Sequence, residues 1–216
     1  MVNSEDFGEE YVVKQQPLSA IAEVFEELAK WLKERRMEEK ELPLDTFCHA
    51  CSFISVLFNS LGLAFKFAEL EYVAKLHTLV EASKTCDTLL DILDLDVATD
   101  TVKTSGSYSR NLRRVRQGLG LIKAIFEQFL ASEDTSLKDV ASTAYAQSCA
   151  PYHTWAVRTA VYAGMYTLPT RYQLLAKLNE TDQSAQKKMK RYIDASLPVI
   201  EYIDELYLSR NIVLDW

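Results

Sequence analysis

The stretch that decides the fold is residues 108–132, YSRNLRRVRQGLGLIKAIFEQFLAS, which has no proline and repeats its apolar residues at helical spacing. This pattern predicts one long α-helix. A single face of that helix, with separations of 4, 7, 4 and 4 residues, carries Arg110, Arg114, Leu121, Ile125 and Phe129. The face is therefore cationic at its amino-terminal end and apolar at its carboxyl-terminal end. Gly118 lies near this face and would let another group approach the backbone closely.

The charge of this region sets it apart from the rest of the chain. Residues 101–126 contain six Lys or Arg and no Asp or Glu, although the protein has 31 acidic residues. Solvated helix faces normally mix both signs. Arginine pairs suit bidentate recognition of phosphate or carboxylate, so the face indicates an amphiphilic ligand with an acidic head and hydrocarbon tails. The alternative is a core helix whose arginines merely emerge into solvent, since apolar stripes are common.

The rest of the chain also indicates helices. Glycine and proline together make up 11 of 216 residues, about 5% against about 12% in average proteins, which argues against an all-β fold and glycine-rich phosphate loops. We predict an all-α domain of about eight helices over residues 17–216, after a flexible tail at 1–16. Besides 108–132, the predicted helices are 17–38, 46–67, 69–83, 86–97, 136–150, 153–166, 171–178 and 181–208.

Composition excludes several function classes. The formal charge of −7 argues against nucleic-acid binding. No apolar run approaches the roughly 18 residues of a membrane span, and residues 1–16 lack the apolar core of a signal peptide. Four cysteines in a chain without such a signal indicate reduced thiols and a cytoplasmic location.

The Cys48-His49-Ala50-Cys51 stretch has the spacing of a redox dithiol or half of a zinc site. A redox motif would need a βαβ context, and a zinc site would need a second ligand pair. Neither is present in the sequence. We therefore expect Cys48 and Cys51 to be buried core residues on a helix and predict no metal site.

Two further segments carry polar groups next to apolar ones. Apolar residues from Val56 to Phe67 lead to Glu71 and Lys75, which at i, i+4 spacing could form an ordinary exposed ion pair. His153 lies beside the helix break that Pro151 predicts, where its ring can be presented to a ligand. No nucleophile signature accompanies it, so a catalytic triad is not indicated, and a structural histidine is the alternative.

Four motifs together resemble the glycolipid transfer protein superfamily over residues 18–216, and most closely its plant accelerated-cell-death type, which transfers ceramide-1-phosphate. The motifs are FKFAELEYVAK at 65–75, SRNLRRV at 109–115, APYHTW at 150–155 and GMYTLPTR at 164–171. The resemblance implies a two-layer all-α sandwich with lipid chains held between the layers. It places Val56, Leu57, Ala64, Phe65, Leu121, Ile125 and Phe129 at the apolar cleft.

The same resemblance implies roles in the head-group site. Lys75, Arg110 and Arg114 would hold the phosphate, while His153 would donate to the sphingolipid amide carbonyl and Glu71 would accept from the amide N–H. Sugar-binding members have a tryptophan at the position of Arg114, and a guanidinium there exchanges sugar stacking for anion recognition. The family normally has aspartate where this chain has Glu71, so the acid is kept on a longer stem.

These observations predict a monomeric, non-enzymatic carrier of ceramide-1-phosphate or a related anionic sphingolipid, without cofactors. Trp155, near His153, would contact membranes transiently at the rim of the pocket, although packing in the core is an equal alternative for an indole. Two other functions stay open. One is a lipid sensor that regulates cell death without bulk transfer, and the other is a glycolipid carrier.

Overall fold

Ten α-helices and two short 3-10 helices make up the residues that the computed structural model describes, 16–38, 41–133 and 135–216. No strand occurs within these ranges, which confirms the all-α prediction; the expected tail lies almost wholly in residues 1–15, outside the described part. The α-helices are α1 (Pro17–Glu38), α2 (Leu44–Ser52), α3 (Ile54–Ser60), α4 (Leu63–Ala82), α5 (Leu89–Ala98), α6 (Tyr108–Ala131), α7 (Leu137–Ser148), α8 (Trp155–Gly164), α9 (Arg171–Lys177) and α10 (Asp182–Leu208). The 3-10 helices are Ala150–Tyr152 and Met165–Thr167.

The helix that decides the fold matches its prediction to within one residue. The Ser107 side chain caps α6 by accepting a hydrogen bond from the backbone N–H of Arg110 at 3.2 Å. Thr181 caps α10 in the same manner, and that helix continues through Pro198. These boundaries were predictable because cap residues and strong apolar periodicity coincide there.

The prediction of one helix over residues 46–67 was wrong. The structure divides this segment into α2, α3 and the first residues of α4. Gly62, between α3 and α4, has φ of 87°, a backbone conformation that favours glycine and cannot continue a right-handed helix. The segment is apolar on most sides, so its pattern contains no interruption that would mark the breaks.

Helix α6 lies at the centre of the packing, in contact with α4, α7 and α10, while α1 packs along α10. Helices α4 and α6 approach each other closely at Gly118, where a Cβ atom would lie only 2.6 Å from the Tyr72 ring. Tyr72 is buried, and its hydroxyl donates to the carbonyl of Cys51 at 2.9 Å. This confirms that Gly118 allows close approach, and it fixes how α4 lies against the arginines of α6.

Cys48 and Cys51 lie in the core formed by α2 and its neighbours, and both are buried as expected. Burial raises the pKa of the Cys48 thiol to about 12 and that of Cys51 well above its usual value. Both thiols therefore stay protonated at neutral pH, whereas thiolates are the form that binds metals and attacks disulfides.

Candidate functional site

The amino-terminal half of α6 presents two arginines that donate to neutral oxygens in the described part of the chain. Arg110 Nη1 donates to the carbonyl of Lys103 at 2.7 Å, and Arg114 Nη1 donates to Oε1 of Gln117 at 2.6 Å. Both side chains are half-buried. Within the described residues neither guanidinium has a carboxylate within 4 Å, so two positive charges one helical turn apart lack a counter-charge.

The other two arginines of α6 are neutralised. Arg113, only 3% exposed, lies 3.6 Å from Oδ1 of Asp204 and donates to the carbonyl of Leu214. Arg116 Nε donates to the same carboxylate at 2.8 Å. Arg113 and Arg116 therefore belong to the framework that joins α6 to α10, whereas Arg110 and Arg114 remain available to an anion.

The electrostatics of Arg114 reflect this arrangement. Burial, together with the positive charges of Arg110 and Arg113, lowers the pKa of Arg114, while Cys149 and Glu71 act in the opposite direction. An arginine stays protonated despite such a shift. The fold therefore holds a positive charge in a place that disfavours it, and a bound anion would relieve the repulsion.

On α4, Lys75 and Glu71 form the i, i+4 ion pair that the sequence analysis gave as the alternative to a role in ligand binding. Lys75 Nζ lies 3.4 Å from Oε2 of Glu71, and Glu71 is 77% exposed. Surface pairs of this kind contribute little to stability, typically up to about 1 kcal/mol. The charge of Glu71 also acts on the pKa of Arg114, so Glu71 lies on the side of α4 that is near the arginines of α6.

His153 joins the same region from a different element. The 3-10 helix Ala150–Tyr152 contains Pro151, and His153 follows it with an extended backbone, so the predicted break is confirmed. Nδ1 of His153 lies 2.7 Å from the hydroxyl of Tyr145 on α7. Burial and the charge of Arg114 lower the pKa of His153, which makes its ring neutral at pH 7.

Sequence reasoning missed two residues of this region, Gln117 and Tyr145. Gln117 follows Arg114 by three residues, and this i, i+3 spacing is a signal that could have identified it. Tyr145 precedes His153 by eight residues across the Pro151 break. No local pattern predicts their contact, because it depends on how α7 and the 3-10 helix fold together.

Apolar residues from the carboxyl-terminal half of α6 and from other helices enclose only a small cavity. Leu57, Ile125 and Phe129 line a cavity of about 10 Å³, roughly the space of one water molecule. Phe65 and Leu121 are buried in the same hydrophobic core. Val56 is 44% exposed, and the side chain of Ala64 lies outside the described part. The other lining residues are Leu61, Ile122, Phe126, Leu174, Leu178 and Met189.

Helix α8 lies on the surface, and none of its residues is buried. Trp155, its first residue, is 74% exposed, so the structure rules out the alternative that it packs in the core. Phe67 and Leu70 on the contacting helix α4 are also exposed. We call these three residues the apolar rim. Within the described residues no helix is long and apolar enough to cross a membrane.

The sequence and the fold together identify the family of this protein. Residues 42–180 match the family model of the glycolipid transfer protein, and the protein belongs to that family. It is 68% identical over 203 residues to the ACD11 homolog protein of Arabidopsis thaliana, covering 93% of this chain and 89% of that relative. It is 47% identical to Accelerated cell death 11 of the same plant, covering 93% and 96%.

A solved structure of a mutant of that second Arabidopsis protein, complexed with ceramide-1-phosphate, superposes with a TM-score of 0.89 at 47% identity. The match covers 94% of this chain and 99% of that structure. The predicted family and fold class are therefore confirmed: the protein has the all-α fold of the glycolipid transfer proteins.

Proposed function

We propose that this protein binds ceramide-1-phosphate and carries it between membranes without making or breaking a covalent bond. The observation that carries this proposal is the pair Arg110 and Arg114, half-buried and without a carboxylate partner among the described residues, on a helix whose carboxyl-terminal half lies in the hydrophobic core. A phosphate monoester would supply the missing negative charge through charge-assisted hydrogen bonds. The resemblance to a relative solved with ceramide-1-phosphate supports the same head group.

In this proposal Lys75, Arg110 and Arg114 hold the phosphate. Lys75 has a long side chain that is one-third exposed, so it can leave Glu71 when the anion arrives. Glu71 would then accept from the amide N–H of the lipid, and His153 would donate to the amide carbonyl. The cationic cluster disfavours neutral glycolipids, since its charges would remain without a counter-charge in a partly dehydrated site.

The hydrocarbon chains require a conformational change. A cavity of about 10 Å³ cannot hold a hydrocarbon chain, so the helices around Leu57, Ile125 and Phe129 must separate when the lipid enters. Each methylene buried contributes about 0.8 kcal/mol, which offsets the disrupted contacts as the chains replace them. The apolar rim of Phe67, Leu70 and Trp155 would contact the bilayer beside the opening, because indole rings favour the membrane interface.

Native mass spectrometry of the protein incubated with mixed lipid vesicles tests the proposal. Equal amounts of ceramide-1-phosphate, galactosylceramide, ceramide and phosphatidic acid with matched acyl chains would be offered. We expect one intact ceramide-1-phosphate per protein as the main complex. A main complex with galactosylceramide would refute the head-group assignment. In a separate incubation with ceramide-1-phosphate as the only sphingolipid, recovery of ceramide would refute the non-enzymatic function.

A further inference from the structure

The hydrogen bond between Tyr145 and His153 connects a buried side chain to a candidate ligand-binding group. The hydroxyl of Tyr145 lies 2.7 Å from Nδ1 of His153, and Tyr145 is only 3% exposed. Within the described residues the hydroxyl makes no other hydrogen bond. Its single polar contact is therefore with one particular nitrogen of the imidazole, and the other nitrogen, Nε2, remains for a ligand.

The direction of this hydrogen bond follows from which of the two groups has a proton to donate. A neutral imidazole has one protonated nitrogen that donates and one bare nitrogen that accepts. Burial raises the pKa of Tyr145 to about 12, so the phenol keeps its proton, and the lowered pKa of His153 makes its ring neutral. If Nδ1 were the donor, the phenolic hydrogen would be left without an acceptor in a buried place, which is unfavourable. The phenol is therefore the donor.

We infer that Tyr145 is a positioning residue that donates to Nδ1 of His153 and so holds the imidazole in the Nε2–H tautomer. Only this tautomer can donate from Nε2 to the amide carbonyl of a sphingolipid. The consequence of this tautomer for lipid binding rests on the proposed function. The tautomer itself is a property of the protein without lipid.

Ring packing holds Tyr145 in place independently of its hydroxyl. Tyr162 of α8 packs edge-on against the Tyr145 ring, with centroids 5.5 Å apart and an interplanar angle of 87°. The rings of Tyr145 and His153 also contact each other, at 5.6 Å. The variant Tyr145→Phe therefore keeps these ring contacts and removes only the donor, which makes it a clean perturbation.

The first test is nitrogen-15 NMR of lipid-free protein labelled at histidine, recorded at about pH 7.5, above the ordinary histidine pKa. The protein has three histidines, and the signals of His153 are those lost in His153→Gln. We expect a bare Nδ1 and a protonated Nε2 in the wild type, and a mixture of both tautomers in Tyr145→Phe. A wild-type His153 with a protonated Nδ1 would overturn the inference.

The second test compares the binding of ceramide-1-phosphate with that of phosphatidic acid, which carries the phosphate but no amide. We expect Tyr145→Phe to weaken ceramide-1-phosphate about fivefold and phosphatidic acid less than about twofold, in line with one lost hydrogen bond. Tyr162→Phe is the matched control, since it removes a hydroxyl from the neighbouring ring, and it should bind both lipids as the wild type does. Equal losses for both lipids in Tyr145→Phe would contradict the positioning role.

The two tests separate the inference from the proposed function. If His153→Ala, which has no side-chain donor, bound ceramide-1-phosphate as tightly as the wild type, the amide role of His153 would be refuted, whatever the tautomer. If His153→Ala weakened binding but Tyr145→Phe changed neither the tautomer nor the affinity, only the role of Tyr145 would be refuted.

Discussion

Removing the charge of Arg114 should weaken head-group binding without destabilising the fold. Arg114 donates to Gln117 in the lipid-free protein and has no carboxylate within 4 Å among the described residues. A charge-assisted hydrogen bond to phosphate contributes about 1.5–3 kcal/mol. Its loss in Arg114→Gln therefore corresponds to a decrease in ceramide-1-phosphate affinity of about ten- to a hundredfold.

The same variant should be at least as stable as the wild type. The pKa of Arg114 is lowered by burial and by Arg110 and Arg113, which means that the folded state disfavours its charge. Removing that charge relieves the repulsion, so the melting temperature should stay constant or rise. Loss of binding together with unchanged or increased stability distinguishes a binding residue from one that only supports the fold.

The assay is titration of the lipid in detergent, with ceramide-1-phosphate and neutral ceramide compared for each variant. Arg114→Gln should affect only the phosphorylated lipid, and Arg114→Glu should lose a further factor of about five or more because it adds a negative charge. Lys187→Gln is the matched control, since it also removes one positive charge, but from an exposed residue that is not part of the proposed site. If the double variant Arg110→Gln and Arg114→Gln bound ceramide-1-phosphate with an affinity within about twofold of the wild type, the phosphate assignment would be refuted.

Three other changes test the fold, the thiols and the rim. Gly118→Ala should destabilise the protein by about 1 kcal/mol in urea unfolding, since overpacking against the buried Tyr72 ring exceeds the gain in helix propensity. Gly120→Ala is the control and should destabilise it less, since its Cβ would meet only Nη1 of Arg116, at 3.3 Å. The double alanine variant of Cys48 and Cys51 should lose stability but keep transfer per folded molecule, and stoichiometric zinc in the purified protein would contradict their core role. Trp155→Ala should slow transfer between vesicles while changing lipid affinity in detergent by less than about twofold; an equal loss in both would place Trp155 in the binding site instead.

Much of the fold was predictable because its helices carry strong local signals. Helix α6 combines a long apolar stripe with a serine cap, and its predicted limits differ from the structure by one residue. The prediction for the segment around Gly62 was wrong for the opposite reason. Apolar residues occur on every side of this segment, so its pattern does not indicate where one helix ends and the next begins. Its glycine was the available signal, and the positive φ at that position gives the physical reason for the break.

The site was predictable only where its residues share one helix. Arg110 and Arg114 are one turn apart, so their sequence spacing places them together. Contacts between elements, such as that of Tyr145 with His153, depend on tertiary packing that spacing does not encode. Trp155 shows the same limit: local sequence permits either burial or exposure, and the packing of α8 on the surface decides for exposure.

Transfer between vesicles tests the central claim most directly. Donor vesicles would contain either ceramide-1-phosphate or galactosylceramide with the same acyl chain and fluorophore, and the protein would be added in catalytic amounts with unlabelled acceptor vesicles. We predict that ceramide-1-phosphate moves at least about tenfold faster than galactosylceramide, and that the preference disappears when Arg110 and Arg114 are both glutamine. Equal transfer of both lipids by the wild type, or tight binding of ceramide-1-phosphate with no transfer, would contradict the account.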